Sequence, residues 1–113
     1  MRANRLKTYL WVQIQQHFCE RNSLPFYVLQ KGEINAGAVI MKINIMDGRC
    51  RVFTQITTSK GEVAWQSWSS NKEPVLEKEA DAYISKQIKV DPDLWVIEIE
   101  DARGLFEPIG LVV

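Results

Sequence analysis

The chain has 113 residues, 46% of them hydrophobic and 25% charged, with fourteen Lys and Arg balancing fourteen Asp and Glu. That size supports one hydrophobic core rather than two, and that apolar content excludes a disordered chain. Zero net charge argues against a protein held on nucleic acid or an anionic membrane by bulk charge, and one His with two Cys is too few for a structural zinc site.

Residues 6–21 predict a helix. Leu6, Leu10, Ile14 and Phe18 recur every fourth residue, Trp11 widens the stripe, and His17 falls within it. The stripe is expected to face the core, and the helix to stop at Asn22-Ser23, ahead of Pro25. Short strands follow: Phe26 to Gln30, Val39 to Met46, Cys50 to Thr57 and Glu62 to Trp68. Gly32 and Ala36-Gly37 bracket a loop, Asp47-Gly48 signals a two-residue hairpin, and Lys60-Gly61 signals a further turn.

Ser69 to Pro74 is a polar loop. A second helix is expected from Val75 to Lys89, with Leu76, Ala80, Tyr83, Ile84 and Ile88 on one side. Its early Glu77, Glu79 and Asp81 and its late Lys86 and Lys89 complement the helix dipole. Asp91-Pro92-Asp93 stops it. Leu94 to Ile99 is a fifth strand, apolar on both sides, as expected of a strand inside a covered sheet. The fold expected is α/β (α+β): two main helices and about five strands in a mixed or mainly antiparallel sheet, in the order α-β-β-β-β-α-β. Helices cover both sheet faces, and residues 1–113 form one domain. The core is expected to contain Leu10, Ile14, Phe18, Val39, Met41, Ile43, Val52, Ile56, Trp65, Tyr83, Ile84, Val96 and Ile97.

The first twenty residues hold no apolar run of signal-peptide length, and no window approaches the roughly 18 apolar residues of a membrane span. A soluble cytoplasmic protein without membrane contact is expected. Cys19 and Cys50 read as small buried hydrophobes. The tail carries Leu105, Phe106, Ile109, Leu111, Val112 and Val113. It is expected to fold back as an edge strand in preference to joining a second copy, and a homodimer is compatible with either arrangement.

A two-residue turn at Asp47-Gly48 places Ile43 opposite Val52 and Met41 opposite Thr54, giving a dry face. The other face would carry Lys42, Arg51, Phe53 and Trp68 together, with Trp68 beside Phe53 and Trp65 beside Ile56. Aromatic rings among basic groups on a sheet can stack single-stranded bases. A helix covering that face is the competing reading, favoured by the fifth strand and the balanced charge. Asp93, Glu98 and Glu100 belong to a run of carboxylates that can hold a divalent cation, with Lys42 assisting a phosphoryl reaction, although a solvated strand end balanced by the basic first half is the favoured reading. His17 has no nucleophile or carboxylate at a diagnostic spacing. No motif assigns a catalytic residue or calls for a cofactor.

Three segments bring a resemblance. They are Arg5-Leu6-Lys7-Thr8 with Trp11-Val12; Lys31-Gly32-Glu33 with Ala36-Gly37-Ala38-Val39; and Glu79-Ala80-Asp81-Ala82-Tyr83-Ile84 leading into the run from Asp91 to Asp101. Together they resemble the small bacterial family known as domain of unknown function 1491, from Arg5 to about Phe106. The resemblance implies a compact α/β sandwich and assigns no activity. The function expected is a non-catalytic cytoplasmic interaction or accessory protein with an unidentified protein partner. Nucleic-acid binding and metal-dependent phosphoryl transfer stand as the alternatives.

Overall fold

A computed structural model describes residues 7–57, 59–61, 63–69, 73–108 and 111–112. Helix α1 spans Thr8–Arg21. The Thr8 and Tyr9 amides, orphaned at its first turn, donate to the carbonyls of Asn35 and Ile34 at 3.1 and 3.0 Å. At its other end the Asn22 side-chain amide donates to the Phe18 carbonyl, and Ser23 takes φ 58° to turn the chain into β1, Phe26–Gln30. Then come β2 (Val39–Asn44), β3 (Arg49–Thr57), β4 (Val63–Ser67) and the two-residue β5 (Val75–Leu76). Helix α2 (Glu77–Val90), β6 (Trp95–Glu100) and β7 (Leu111–Val112) complete the order.

The sheet path is β1-β6-β2-β3-β4-β7, with β5 beside the start of β3. β6 runs parallel to β2 and β7 parallel to β4; the other pairings are antiparallel. α1 covers one face and α2 the other. On the α1 side Met41, Phe53, Trp65 and Ile97 are buried, and on the α2 side Ile40, Val52, Ile84 and Val96 are buried. The expected mixed sheet between two helices is therefore the fold. The tail folds back as β7. β5 takes Val75 and Leu76 out of the second helix, because they pair with Cys50 and Arg49 instead. Glu62 and the 70–72 part of the polar loop lie outside the described residues, as do Leu6, Ile109 and Val113.

The hairpin differs from the two-residue expectation. The Ile45 amide donates to the Arg49 carbonyl at 3.2 Å, so Met46, Asp47 and Gly48 form a three-residue loop, with φ 67° at Met46 and 87° at Gly48. One added loop residue moves the register by one: Lys42 faces Val52, Met41 faces Phe53 and Ile43 faces Arg51. The next turn is displaced likewise, with Trp65 opposite Gln55 and Ser67 opposite Phe53.

α1 is rotated from its expected phase. Its buried residues are Thr8, Val12, Gln15 and Cys19, whereas Ile14 is 51% and Phe18 39% exposed and Leu10 is half-buried. At 3.6 residues per turn these two faces are roughly 130° apart. Trp11 sets the phase: its ring lies 5.3 Å from that of Trp65. The Thr8 hydroxyl adds a bond of 2.8 Å to the Gly37 carbonyl. Ile56 and Tyr83, also expected in the core, are half-buried, and His17 is exposed.

Candidate functional site

β2 is buried along its whole length, and it carries a lysine. Lys42 is 3% exposed and directs its ammonium toward α2. Its Nζ donates to Glu77 Oε2 and Asp81 Oδ1, both at 2.8 Å, and lies 3.5 Å from Glu98 Oε1. Glu77 and Asp81, four residues apart, share one side of α2, and Glu98 is directly across from Lys42 on β6. Asn44, two residues along β2, donates to Glu98 Oε2 at 3.1 Å and Glu77 Oε2 at 3.4 Å. Burial alone would lower the Lys42 pKa. The bonds to Asp81 and Glu77 and the charge of Glu98 outweigh it and hold the pKa above the ordinary lysine value. The ammonium is thus fixed in its charged form at neutral pH, so it serves as a counter-ion rather than as a proton carrier or nucleophile. Sequence reading missed Glu77 and Asp81 as partners of Lys42. The available signal was their four-residue spacing beside Ala80 and Ile84.

The other expected site residues come together only in pairs. Phe53 is buried against α1, with the Arg51 guanidinium 5.6 Å from its ring centroid. Lys42 points to the opposite side, because the three-residue loop turns β3 over relative to β2. Trp68 is on the α2 side, stacked on Tyr83 at 4.5 Å between ring centroids. The basic and aromatic platform of Lys42, Arg51, Phe53 and Trp68 is therefore not formed. Asp93 sits in the turn before β6, five residues from Glu98, which is about 16 Å at the rise of a strand. Asp93 thus cannot share an ion with Glu98 and Glu100. Glu98 and Glu100 do share the α2 side, but Glu98 is committed to Lys42 and Asn44.

Trp68 and Tyr83 line an open groove of about 240 Å³ with Thr54, Gln66 and Ser67. Both thiols are buried. Burial pushes Cys19 up to about 11, helped by the charge of Asp101, and burial likewise pushes Cys50 up to about 11. They are protonated and poorly nucleophilic at neutral pH.

A further cluster joins distant segments. The Trp95 indole N–H donates to the Glu33 carbonyl at 2.7 Å, and the Glu33 amide donates to the Asp93 carbonyl at 2.9 Å. Glu33 Oε2 accepts the amides of Asn35 and Ala36. Gly32 and Gly37 lie against Trp95: a Cβ at Gly37 would be 2.7 Å from the Asp93 carbonyl oxygen, and one at Gly32 would be 2.7 Å from Trp95 Cδ1. The first two segments that carry the family resemblance and the Asp91–Asp101 part of the third thus meet here, around the start of α1 and the entry to β6, and their hydrogen bonds are those of a folding motif.

The sequence profile of DUF1491, described as a protein of unknown function, matches residues 6–106. The chain belongs to that family. A crystal structure of a DUF1491 family protein from Caulobacter crescentus CB15 is similar at a TM-score of 0.85 and 32% identity, covering 96% of this chain and 100% of that one. An NMR structure of a DUF1491 family protein from the same organism gives 0.82 and 31%, over 98% and 99% of the two chains. A solution structure of a protein from A. tumefaciens shares the fold at a TM-score of 0.73 and 24% identity, over 95% and 91%. No curated protein matches the chain.

Proposed function

We propose that this chain is a non-catalytic accessory protein of the bacterial cytoplasm that binds a partner protein along the outer side of α1. One observation carries the reading. Ile14 and Phe18, members of an ordinary core-facing stripe, are 51% and 39% exposed beside the half-buried Leu10, with Phe18 edge-on to Phe106, while the inner side of the same helix puts Val12 and Cys19 in the core and packs Trp11 against it. A helix apolar on two sides is characteristic of one covered on two sides. The ridge runs between Lys7 and Arg21, both exposed, so the matching surface is apolar with an acidic rim. The pinned Lys42 and the protonated thiols fit a binding role better than a chemical one. Among the described residues no helix is long and apolar enough to cross a membrane, in keeping with the proposed compartment.

The test is cross-linking and affinity capture of the tagged chain in its own cells, followed by titration of the purified chain with the captured protein. Ile14→Glu with Phe18→Ser is expected to weaken that direct binding at least tenfold while the thermal unfolding of the chain persists. Undiminished binding by this folded variant overturns the proposal.

A further inference from the structure

We propose that β1 is a dimerisation edge, on which a second copy of this chain adds its own β1 antiparallel about a two-fold axis at Tyr27. β1 ends the sheet path, and its outer side pairs with no strand among the described residues. Its hydrogen-bonding phase follows from one contact: the Glu100 amide donates to the Pro25 carbonyl at 3.0 Å. In an antiparallel ladder bonded and non-bonded pairs alternate, so Tyr27, opposite Glu98, is the next bonded pair. Phe26 and Val28, opposite Ile99 and Ile97, then turn their main-chain N–H and C=O groups away from β6. Facing outward, these groups are a ready template for a further strand.

The sequence says which strand. From Leu24 to Gln30 there is no charged residue, and Tyr27 and Val28 are 47% and 43% exposed on opposite sides of the sheet. An antiparallel pairing of β1 with a second β1 is self-complementary. If Phe26 lies opposite Val28 of the second copy, all outward groups of both residues are used, in both copies. Tyr27 then faces Tyr27 of the second copy as a non-bonded pair, the closer kind, in which aromatic side chains interact best. The paired run itself holds no charged residue, so no like charges meet within it. The register shift between Val28 and Gln30 bulges the strand at Leu29 and ends the flat run there. The pairing therefore closes as a dimer. This surface is separate from the outer side of α1, so either proposal can fail alone.

The experiment is sedimentation velocity of the full chain from micromolar to millimolar concentration, with two variants. Val28→Pro removes an outward N–H that the fold does not use, and Tyr27→Lys sets two like charges across the axis. A concentration-dependent dimer is expected, weakened at least tenfold by each variant, with thermal unfolding still cooperative. The register is read by oxidising Tyr27→Cys and Leu29→Cys with diamide. Tyr27→Cys is expected to give a disulfide-linked dimer at least ten times faster than Leu29→Cys, the native thiols being buried. A chain monomeric at every concentration, a dimer indifferent to Val28→Pro and Tyr27→Lys, or equal cross-linking at the two positions overturns the proposal.

Discussion

Lys42 shows how one residue can hold a helix against a sheet. Its ammonium is the common partner of carboxylates on α2 and β6. Breaking a fully buried pair costs about 3–5 kcal/mol, and here Glu77 and Asp81 are partly solvated, so Lys42→Met is expected to cost about 2–3 kcal/mol at pH 7. The cost has a pH signature. In the wild type the raised lysine pKa means that the ammonium's contribution is complete below the unfolded-lysine value near 10.4 and is lost only at higher pH. Urea unfolding of both proteins from pH 7 to about 11 checks this. The thiols titrate in the same alkaline direction for another reason. With folded values near 11 against an ordinary 9.0, the unfolded state ionises first, so stability falls as pH rises from about 9 to 11. A Cys19→Ala and Cys50→Ala double variant is expected to show a shallower fall over that window in the same measurement.

At the scale of elements, the strands were legible and their faces were not. The β-rich run from Phe26 to Gln30 and the two-sided apolar pattern from Leu94 to Ile99 are local signals, and both strands form where those signals lie. Register depends on whether the loop after Asn44 has two residues or three. That is decided by Met46 adopting positive φ, which composition does not announce. The misplaced loop separated Lys42 from Phe53 and dissolved the nucleic-acid platform. The phase of α1 escaped for a similar reason. Hydrophobicity favours Leu10, Ile14 and Phe18, but close approach to the sheet favours Val12 and Cys19, and the Trp11–Trp65 contact settles the rotation. Gln15 went inside with them, its Oε1 buried without a hydrogen-bond partner among the described residues. The loop between β1 and β2 is held more tightly than its polarity suggests. Gly37→Ala puts a methyl group against two main-chain carbonyls, so a loss of about 2–3 kcal/mol is expected, read as a lowered urea midpoint.

For the whole molecule, the family resemblance anticipated the sandwich, because its segments form the contacts between α1, the β1–β2 loop and β6. It brought no active-site geometry with it, and only the fold assembles the Lys42 cluster, whose members lie at positions 42, 77, 81 and 98, on three elements. The position of β6 has a consequence for how the protein is made. The strand that separates β1 from β2 in the sheet is made long after both of them. At about 5–20 residues per second, the 70 residues between the end of β1 and the end of β6 take roughly 4–14 s to synthesise. For the part of that interval after β2 is made, the nascent chain displays an apolar vacancy where β6 will insert, with an unsatisfied strand on each side. Ribosome-stalled chains ending at Asp93 are therefore expected to be digested rapidly by protease, and protection is expected to appear only once Glu100 has cleared the exit tunnel. Synthesis of this small protein thus includes a window of exposure that invites chaperone capture, set by strand order rather than by chain length.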